Sequence, residues 1–451
     1  MEGAPQMDLR VNTGYRDILK ISLPITLAML VPQINFITNN IFLSGLGEHE
    51  LASAGLTGVY YLIFGVVGSG LSNGMQALFA RRAGENKPEG IGELFYNGSW
   101  VTIFFSVAGI LITYTIGAEL LRLSIHNQET ADKVISFLHI RIWGLPFLYL
   151  YGLRNALLVG TGKTNFLIWG TLAEALTNIF FDYGLIYGKF GMPELGFNGA
   201  AYASIIAEVT GLIVVFSVIR FQKLHTSFLL AAKRSFSWEV SRHILYRSSP
   251  LVLQYAISII TWEYFYILIE HHGARALAVS NTMRNIFGVT GIFSWAFAAT
   301  TNTMVSNLIG QGRSDEVLIL IRRIVIVSLS ICVPLILLLN IRPEWFLGFY
   351  GMGQDFIDYA IPVLRVVSVA LGLMSFSAIW LNAVTGTGNT KVNLAIEIFA
   401  IIIYVIYVWV ILEYLRWSLA WGWASEIVYW VCMFTPAYLY MKSGRWKGKE
   451  I

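Results

Sequence analysis

The sequence predicts an all-α integral membrane protein whose twelve transmembrane helices form two pseudo-twofold-related six-helix bundles. Three observations carry that expectation: an apolar composition, twelve long hydrophobic segments and an internal repeat of half the chain length. Of 451 residues, 56% are hydrophobic and 13% charged, against about 25% charged in soluble domains. Mean hydropathy is +0.63. A membrane helix needs about 20 largely apolar residues, so this content supplies a dozen spans and leaves little for soluble domains. The composition excludes a water-soluble enzyme, a DNA-binding module and a disordered chain. It also excludes an ATP-driven pump carrying its own nucleotide domain, because no polar stretch is long enough to fold as one.

The hydrophobic segments are 17–44, 52–81, 95–118, 134–159, 164–188, 197–219, 248–270, 277–309, 318–341, 357–385, 391–415 and 419–441. They are rich in Leu, Ile and Ala and lack the ten-residue alternation of a transmembrane barrel. Pro24, Pro146, Pro250, Pro334 and Pro362 lie inside them, as membrane helices tolerate. Residues 1–16 form a polar tail. Met1 to Lys20 contains acidic residues and lacks the basic start and short apolar core of a cleaved leader, so the first span is expected to stay in the mature protein. Cys332 and Cys432 both lie in apolar runs, where a bridge is not expected.

Charge sets the expected orientation. Both tails, the loops after even-numbered spans and the adjoining helix ends hold 21 of the 31 Lys and Arg, and the loops after odd-numbered spans hold 6. Arg141, Arg154, Arg284 and Arg365 fall within spans. The positive-inside rule then puts both termini in the cytoplasm. Residues 220–247, with Arg220, Lys223, Lys233, Arg234, Arg242 and Arg247, read as a cytoplasmic linker between an N-lobe (17–219) and a C-lobe (248–441). Residues 442–451 form the C-terminal tail.

A constant shift of 226 aligns Pro24 with Pro250, Gly47 with Gly273, Leu51-Ala52 with Leu277-Ala278 and Gly84 with Gly310. It also aligns Gly160-Thr161-Gly162 with Gly386-Thr387-Gly388, and Thr164 with Thr390. Six spans per half is an even number, so the halves share one orientation, as in parallel-repeat transporters with a substrate path between the halves.

Ionisable groups at membrane depth are costly and mark functional candidates. The fifth span carries Glu174, Asn178 and Asp182 at i, i+4 and i+8, on one helix face. Asp182 lies roughly 27 Å from the end at Thr164 by helix rise. A carboxylate beside an amide oxygen suits Na⁺, and a buried carboxylic acid suits H⁺. Asn35, Asn39 and Asn40 in the first span read as interhelical hydrogen bonding. Asn389, Asn393 and Glu397 form a stripe on the eleventh span; Glu397 is either a coupling group or faces an inward-open vestibule. Glu263, between Trp262 and Tyr264, would suit a cationic amphiphile, unless it pairs with Arg284. Glu208 and Glu426 are further ionisable groups, in spans six and twelve. Gly70 and Gly74 predict close helix packing, and Gly162-Lys163-Thr164 predicts a helix-end turn rather than a phosphate loop. His271-His272 read as solvated loop histidines, and no metal beyond Na⁺ at Asp182 and Asn178 is expected.

Several of these stretches resemble the multidrug and toxic compound extrusion (MATE) family within the multidrug, oligosaccharidyl-lipid and polysaccharide flippase superfamily. Asn40-Ile-Phe-Leu-Ser-Gly45-Leu-Gly47 with Leu51-Ala52 is similar to its first-loop signature. Asn178-Ile-Phe-Phe-Asp182-Tyr and Gly196-Phe-Asn-Gly199-Ala-Ala-Tyr-Ala-Ser204 are similar too, as are Ala80-Arg-Arg-Ala-Gly84-Glu, Asn307-Leu-Ile-Gly310-Gln-Gly312 and both GTGxT repeats. The resemblance runs from about residue 15 to 440. It implies two six-helix bundles alternating between outward and inward openings, and export of drug-like, cationic or amphipathic compounds in exchange for H⁺ or Na⁺. It implies an N-lobe cation site that includes Asn178, Asp182 and a hydroxyl matched by Ser204. Asn40 stands where the family often has Asp, which removes one carboxylate and weakens the case for direct Na⁺ binding. Ser258 stands where some members carry an acidic residue on the seventh span.

The expected function is therefore secondary active antiport with no organic cofactor, by a monomer in a bacterial inner membrane that handles a small molecule and no nucleic acid. A lipid-linked saccharide flippase of the same superfamily is the alternative within transport. A major-facilitator carrier is disfavoured because Arg81 to Pro88 lacks that family's loop pattern. A membrane transferase is disfavoured because His139 has no acidic partners that mark it as catalytic.

Overall fold

A computed structural model describes residues 8–448 apart from 126, 231, 233, 234, 349, 351 and 352, and describes no side chain at 36, 40, 48, 49, 51, 52 or 124. Lys233, Arg234 and the side chains of Leu51 and Ala52, used above, lie outside that description. Among the described residues the chain forms twelve long helices. They are α1 (Tyr15–Ser44), α2 (Glu48–Gly84), α3 (Pro88–Leu123), α4 (Gln128–Gly160), α5 (Leu167–Tyr187) and α6 (Phe197–Phe221). The second set is α7 (Trp238–Glu270), α8 (Ala274–Gly310), α9 (Ser314–Ile341), α10 (Gln354–Gly386), α11 (Thr390–Tyr414) and α12 (Ser425–Lys442). Among the described residues, nine helices are long and apolar enough to cross a membrane by themselves. The other three, α5, α8 and α12, are the ones diluted by polar side chains such as Asp182, Thr300 to Thr303 and Glu426. Helices suit the bilayer because each satisfies its own backbone hydrogen bonds there.

Helix ends are set by capping chemistry as well as by hydropathy. α7 begins at Trp238, well before its apolar run, because Ser237 Oγ accepts from Val240 N (3.3 Å) and no Gly or Pro interrupts residues 238–249. Residues 238–247 of the expected linker are therefore helical. α3 starts at Pro88, whose missing N–H costs nothing in a first turn. Asn127 caps α4 by accepting from Thr130 N (3.2 Å). α3 contains a π-helical turn at Thr113–Gly117, and α4 a 3₁₀ turn at Ile142–Gly144 just before Pro146.

The repeat extends to atomic contacts. α2 and α8 both span 37 residues, and their first residues are related by the same shift. Gly162 and Gly388, the second glycines of the paired GTG motifs, have φ of +70° and +82°, left-handed values that favour glycine; both motifs are turns, as the sequence predicts. A Cβ on Gly160 would lie 2.8 Å from Gln76 O, and one on its counterpart Gly386 would lie 2.8 Å from Asn302 O. Those two carbonyls are themselves repeat equivalents, so the close α2–α4 crossing recurs as α8–α10.

The chain forms two compact units, and their boundaries fall inside helices. One comprises Met1–Leu9 and Leu27–Val252, the other Arg10–Thr26 and Leu253–Ile451. The expected division at 220–247 thus differs from the contact division at both first helices of the repeat. In the first unit, Ser237 N donates to Asn97 Oδ1 (2.8 Å), and Gly70 and Gly74 of α2 press on Val252 and Ser248 of α7. Close packing at this glycine pair is what the sequence predicts. In the second unit, Val11 N donates to Asn307 Oδ1 (3.1 Å), and Arg323 Nη1 donates to Thr13 O (2.8 Å). Val11 and Ser237 are repeat equivalents, and each ties the start of its helix to a buried asparagine. Cys332 is buried, Cys432 is half-buried, and both are free.

Candidate functional site

In the first unit the site grows from the packing of α5 on α6. Small residues let the two helices approach closely. A Cβ on Gly199 would meet Leu185 O at 2.6 Å, one on Gly211 would meet Glu174 Cβ at 3.2 Å, and one on Gly170 would strike Val215. This antiparallel register sets Asn178 opposite Ala207 and Asp182 opposite Ala203, with Ser204 next to it. Asp182 and Asn178 are fully enclosed, Glu174 and Ser204 half-buried. The wall facing the two polar groups is therefore made of methyl groups. Neither carboxylate oxygen of Asp182 has a hydrogen-bond partner among the described residues, and neither does Asn178 Nδ2. Leaving such groups buried and unpaired is costly.

The far end of the site is closed by α1. Leu43 packs with Ile186, Phe197 and Ala200, and Tyr187 OH donates to Phe42 O (2.5 Å). One helical turn before Leu43 and Ile186 lie Asn39 and Asp182, so the two share a level. Asn35 Oδ1 and Asn39 Oδ1 are enclosed without partners among the described residues. Their side-chain oxygens are therefore not engaged in the interhelical hydrogen bonding the sequence implies. The side chain of Asn40 lies outside the described residues.

Sequence reasoning missed a second polar layer in this unit. Arg141 on α4 grips Glu208 on α6 through its two terminal guanidinium nitrogens, the Nη1–Oε2 bond being 3.0 Å, and stacks over the Tyr61 ring at 4.1 Å. Only 4% of the Glu208 side chain is exposed. All of α5 separates Arg141 from Glu208 along the chain, so no local motif signals the pair. The missed signal was one charge of each sign at membrane depth. Gly144 is the steric condition for it, because a Cβ there would strike both Glu208 and Arg141.

The second unit is wired differently. Glu397 is buried and accepts from Ser258 Oγ (2.5 Å), Tyr429 OH (2.6 Å) and Gln254 Nε2 (3.1 Å). Asn393 Nδ2 donates to Gln254 Oε1 (2.6 Å). The vestibule reading of Glu397 is thus corrected: three donors on α7 and α12 enclose it. Asn389 sits at the start of α11, its Nδ2 on Thr387 Oγ1 (3.1 Å). Glu426 accepts from Tyr404 OH (3.3 Å). The suggested Glu263–Arg284 pair is also corrected. Both are exposed, no ion pair joins them among the described residues, and Arg284 lies over the Tyr266 ring at 5.2 Å. His271 contacts Glu413 Oε2 (3.0 Å) and His272 contacts Leu412 O (2.8 Å), so these histidines tie α7 to α11 instead of only facing solvent. The repeat equivalents of Glu174, Asn178 and Asp182 are Ala400, Tyr404 and Val408. The backbone is duplicated, but the site is not. Among the described residues no group of three His, Cys, Asp or Glu could hold a metal ion.

Comparison with known proteins agrees with this architecture. The chain is 24% identical over 409 residues to the probable multidrug resistance protein NorM of Synechocystis, covering 86% of each. It is 22% identical to the protein of that name from Thermotoga maritima, covering 97% of this chain and 94% of the other. The fold superposes on a MATE crystal structure in the straight conformation with a TM-score of 0.88 at 19% identity, over 98% of this chain and 99% of that one. An outward-facing multidrug resistance MATE transporter gives 0.87 at 20% identity, over 98% of each. The MatE family profile matches twice, at residues 24–184 and 250–410, two windows related by the same shift as the repeat. The chain is an integral membrane protein and belongs to the MATE family of transporters.

Proposed function

We propose that this protein exports drug-like cationic or amphipathic compounds by secondary antiport, taking up H⁺ or Na⁺ at Asp182 in each cycle. The observation that carries the proposal is the enclosed Asp182 carboxylate, with two acceptor oxygens, no donor among the described residues and an alanine wall opposite. A bare carboxylate there is unfavourable, so the group calls for a proton or a small cation. Asn178 one turn away on α5 and Ser204 on α6 are the further ligands this reading calls on, and Asn39 of α1 lies at the level of Asp182. Alternating exposure of the site would couple its occupancy to export. The multidrug resistance names of the relatives support the substrate class. Charge asymmetry supports a bacterial inner membrane orientation with both termini cytoplasmic.

Dye export from proteoliposomes tests the reading, with a fluorescent cationic dye and Na⁺ and pH gradients imposed separately. Export driven by one gradient supports antiport and names the ion. No dye movement under either gradient contradicts the reading and favours the lipid-linked substrate of the alternative. The Glu397 cluster supports a second reading of where coupling resides, because it too is an enclosed carboxylate. Its three donors, however, stabilise the anion without an added cation, which is why Asp182 is preferred.

A further inference from the structure

The first unit carries a cavity of about 430 Å³ where the end of α2, the start of α3 and the start of α7 meet. Its walls hold both signs of charge, Arg82 and Arg242 against Glu93 and Glu239, and include the imidazole of His243. Arg82 is engaged, its Nη1 on Glu85 Oε2 at 2.8 Å and its stem lying across Gly90. Arg242, Glu93 and Glu239 make no ion pair among the described residues. His243 Nε2 is enclosed in the wall and has no hydrogen-bond partner there. Tyr246, 50% exposed, lines the cavity, and Trp238, 66% exposed, opens α7 one residue before Glu239. Exposed Trp and Tyr at helix ends mark the headgroup level of a bilayer.

We propose that this cavity binds the headgroup of a phosphatidylethanolamine lipid. A simple anion would be drawn to Arg242 but opposed by two carboxylates; a simple cation would meet the reverse. A zwitterion satisfies both. The phosphate takes the guanidinium of Arg242 with Arg82 beside it, and a primary ammonium donates to Glu93 and Glu239 through charge-assisted hydrogen bonds. A quaternary choline has no N–H to donate, so these carboxylates select ethanolamine. The site spans α2, α3 and α7, and a bound headgroup would hold the first turns of α7 against α2.

Native mass spectrometry and thermal unfolding of the purified full-length protein test the proposal. The probes are phosphatidylethanolamine, phosphatidylcholine, phosphatidylglycerol and soluble phosphoethanolamine. Phosphatidylethanolamine is expected to bind about tenfold more tightly than the other two lipids and to raise the unfolding midpoint most. The double variant Glu239→Gln/Arg242→Gln, at exposed positions, is expected to remain folded and lose that preference. Equal binding of the choline lipid overturns the proposal, as does a preference that survives in the double variant. Stabilisation by soluble phosphoethanolamine equal to that of the lipid assigns the cavity to a soluble ligand and overturns the lipid assignment.

Discussion

Arg141 and Glu208 show how much a single buried pair can hold. Removing one partner of an enclosed ion pair leaves an uncompensated charge and costs about 3–5 kcal/mol. Arg141→Met is therefore expected to lower unfolding stability by that order. Arg141→Met/Glu208→Leu, which removes both charges, should recover much of the loss. A double variant as unstable as the single one would show that the loss lies in packing against Tyr61 rather than in charge. Asp182 is the opposite case, a carboxylate with no partner to lose among the described residues. Asp182→Asn is expected to fold at wild-type stability or above, which thermal unfolding in detergent would show. Asp182, Asn178 and Glu174 were legible in the sequence because one helix carries them one turn apart. The Arg141–Glu208 pair and the donors around Glu397 were not, because their partners come from other helices far along the chain and no spacing rule reaches that far.

The helices themselves were largely legible, because each needs an apolar run of bilayer length and the runs are separated by charged or glycine-bearing loops. What hydropathy could not supply were the polar first turns, since Ser237, Asn127 and Pro88 start helices several residues before the apolar stretch begins. Nor does composition separate glycines that pack from glycines that do not. Gly74 of α2 would put a Cβ 2.9 Å from Ser248 Cα, a backbone atom that cannot swing aside. Gly65 on the same helix has open space around its Cβ position. Gly74→Ala should destabilise by about 1–3 kcal/mol through overpacking. Gly65→Ala should be stabilising by about 0.5–1 kcal/mol from helix propensity. Paired unfolding curves check the contrast, and equal effects of the two substitutions would contradict the close α2–α7 crossing.

Across the whole molecule one backbone plan is used twice with two different polar interiors. The repeat recurs in helix ends, in the Gly160 and Gly386 crossings and in the paired family matches, yet Val408 stands where Asp182 would repeat. Among the described residues, the enclosed carboxylate without a hydrogen-bond partner, Asp182, lies in the first copy, which argues for coupling in the first unit. Orientation is tested by labelling: Lys189→Cys and Arg342→Cys should react from outside sealed cells, and Lys391→Cys only after permeabilisation. The reverse pattern would invert the topology. Whether Asp182 links ion entry to export is measured by gradient-driven dye export from proteoliposomes containing wild-type protein or Asp182→Asn. Wild type is expected to export under a pH or Na⁺ gradient, and the variant, though folded, to lose that export. Full gradient-driven export by Asp182→Asn would contradict that link and move the coupling site to Glu397.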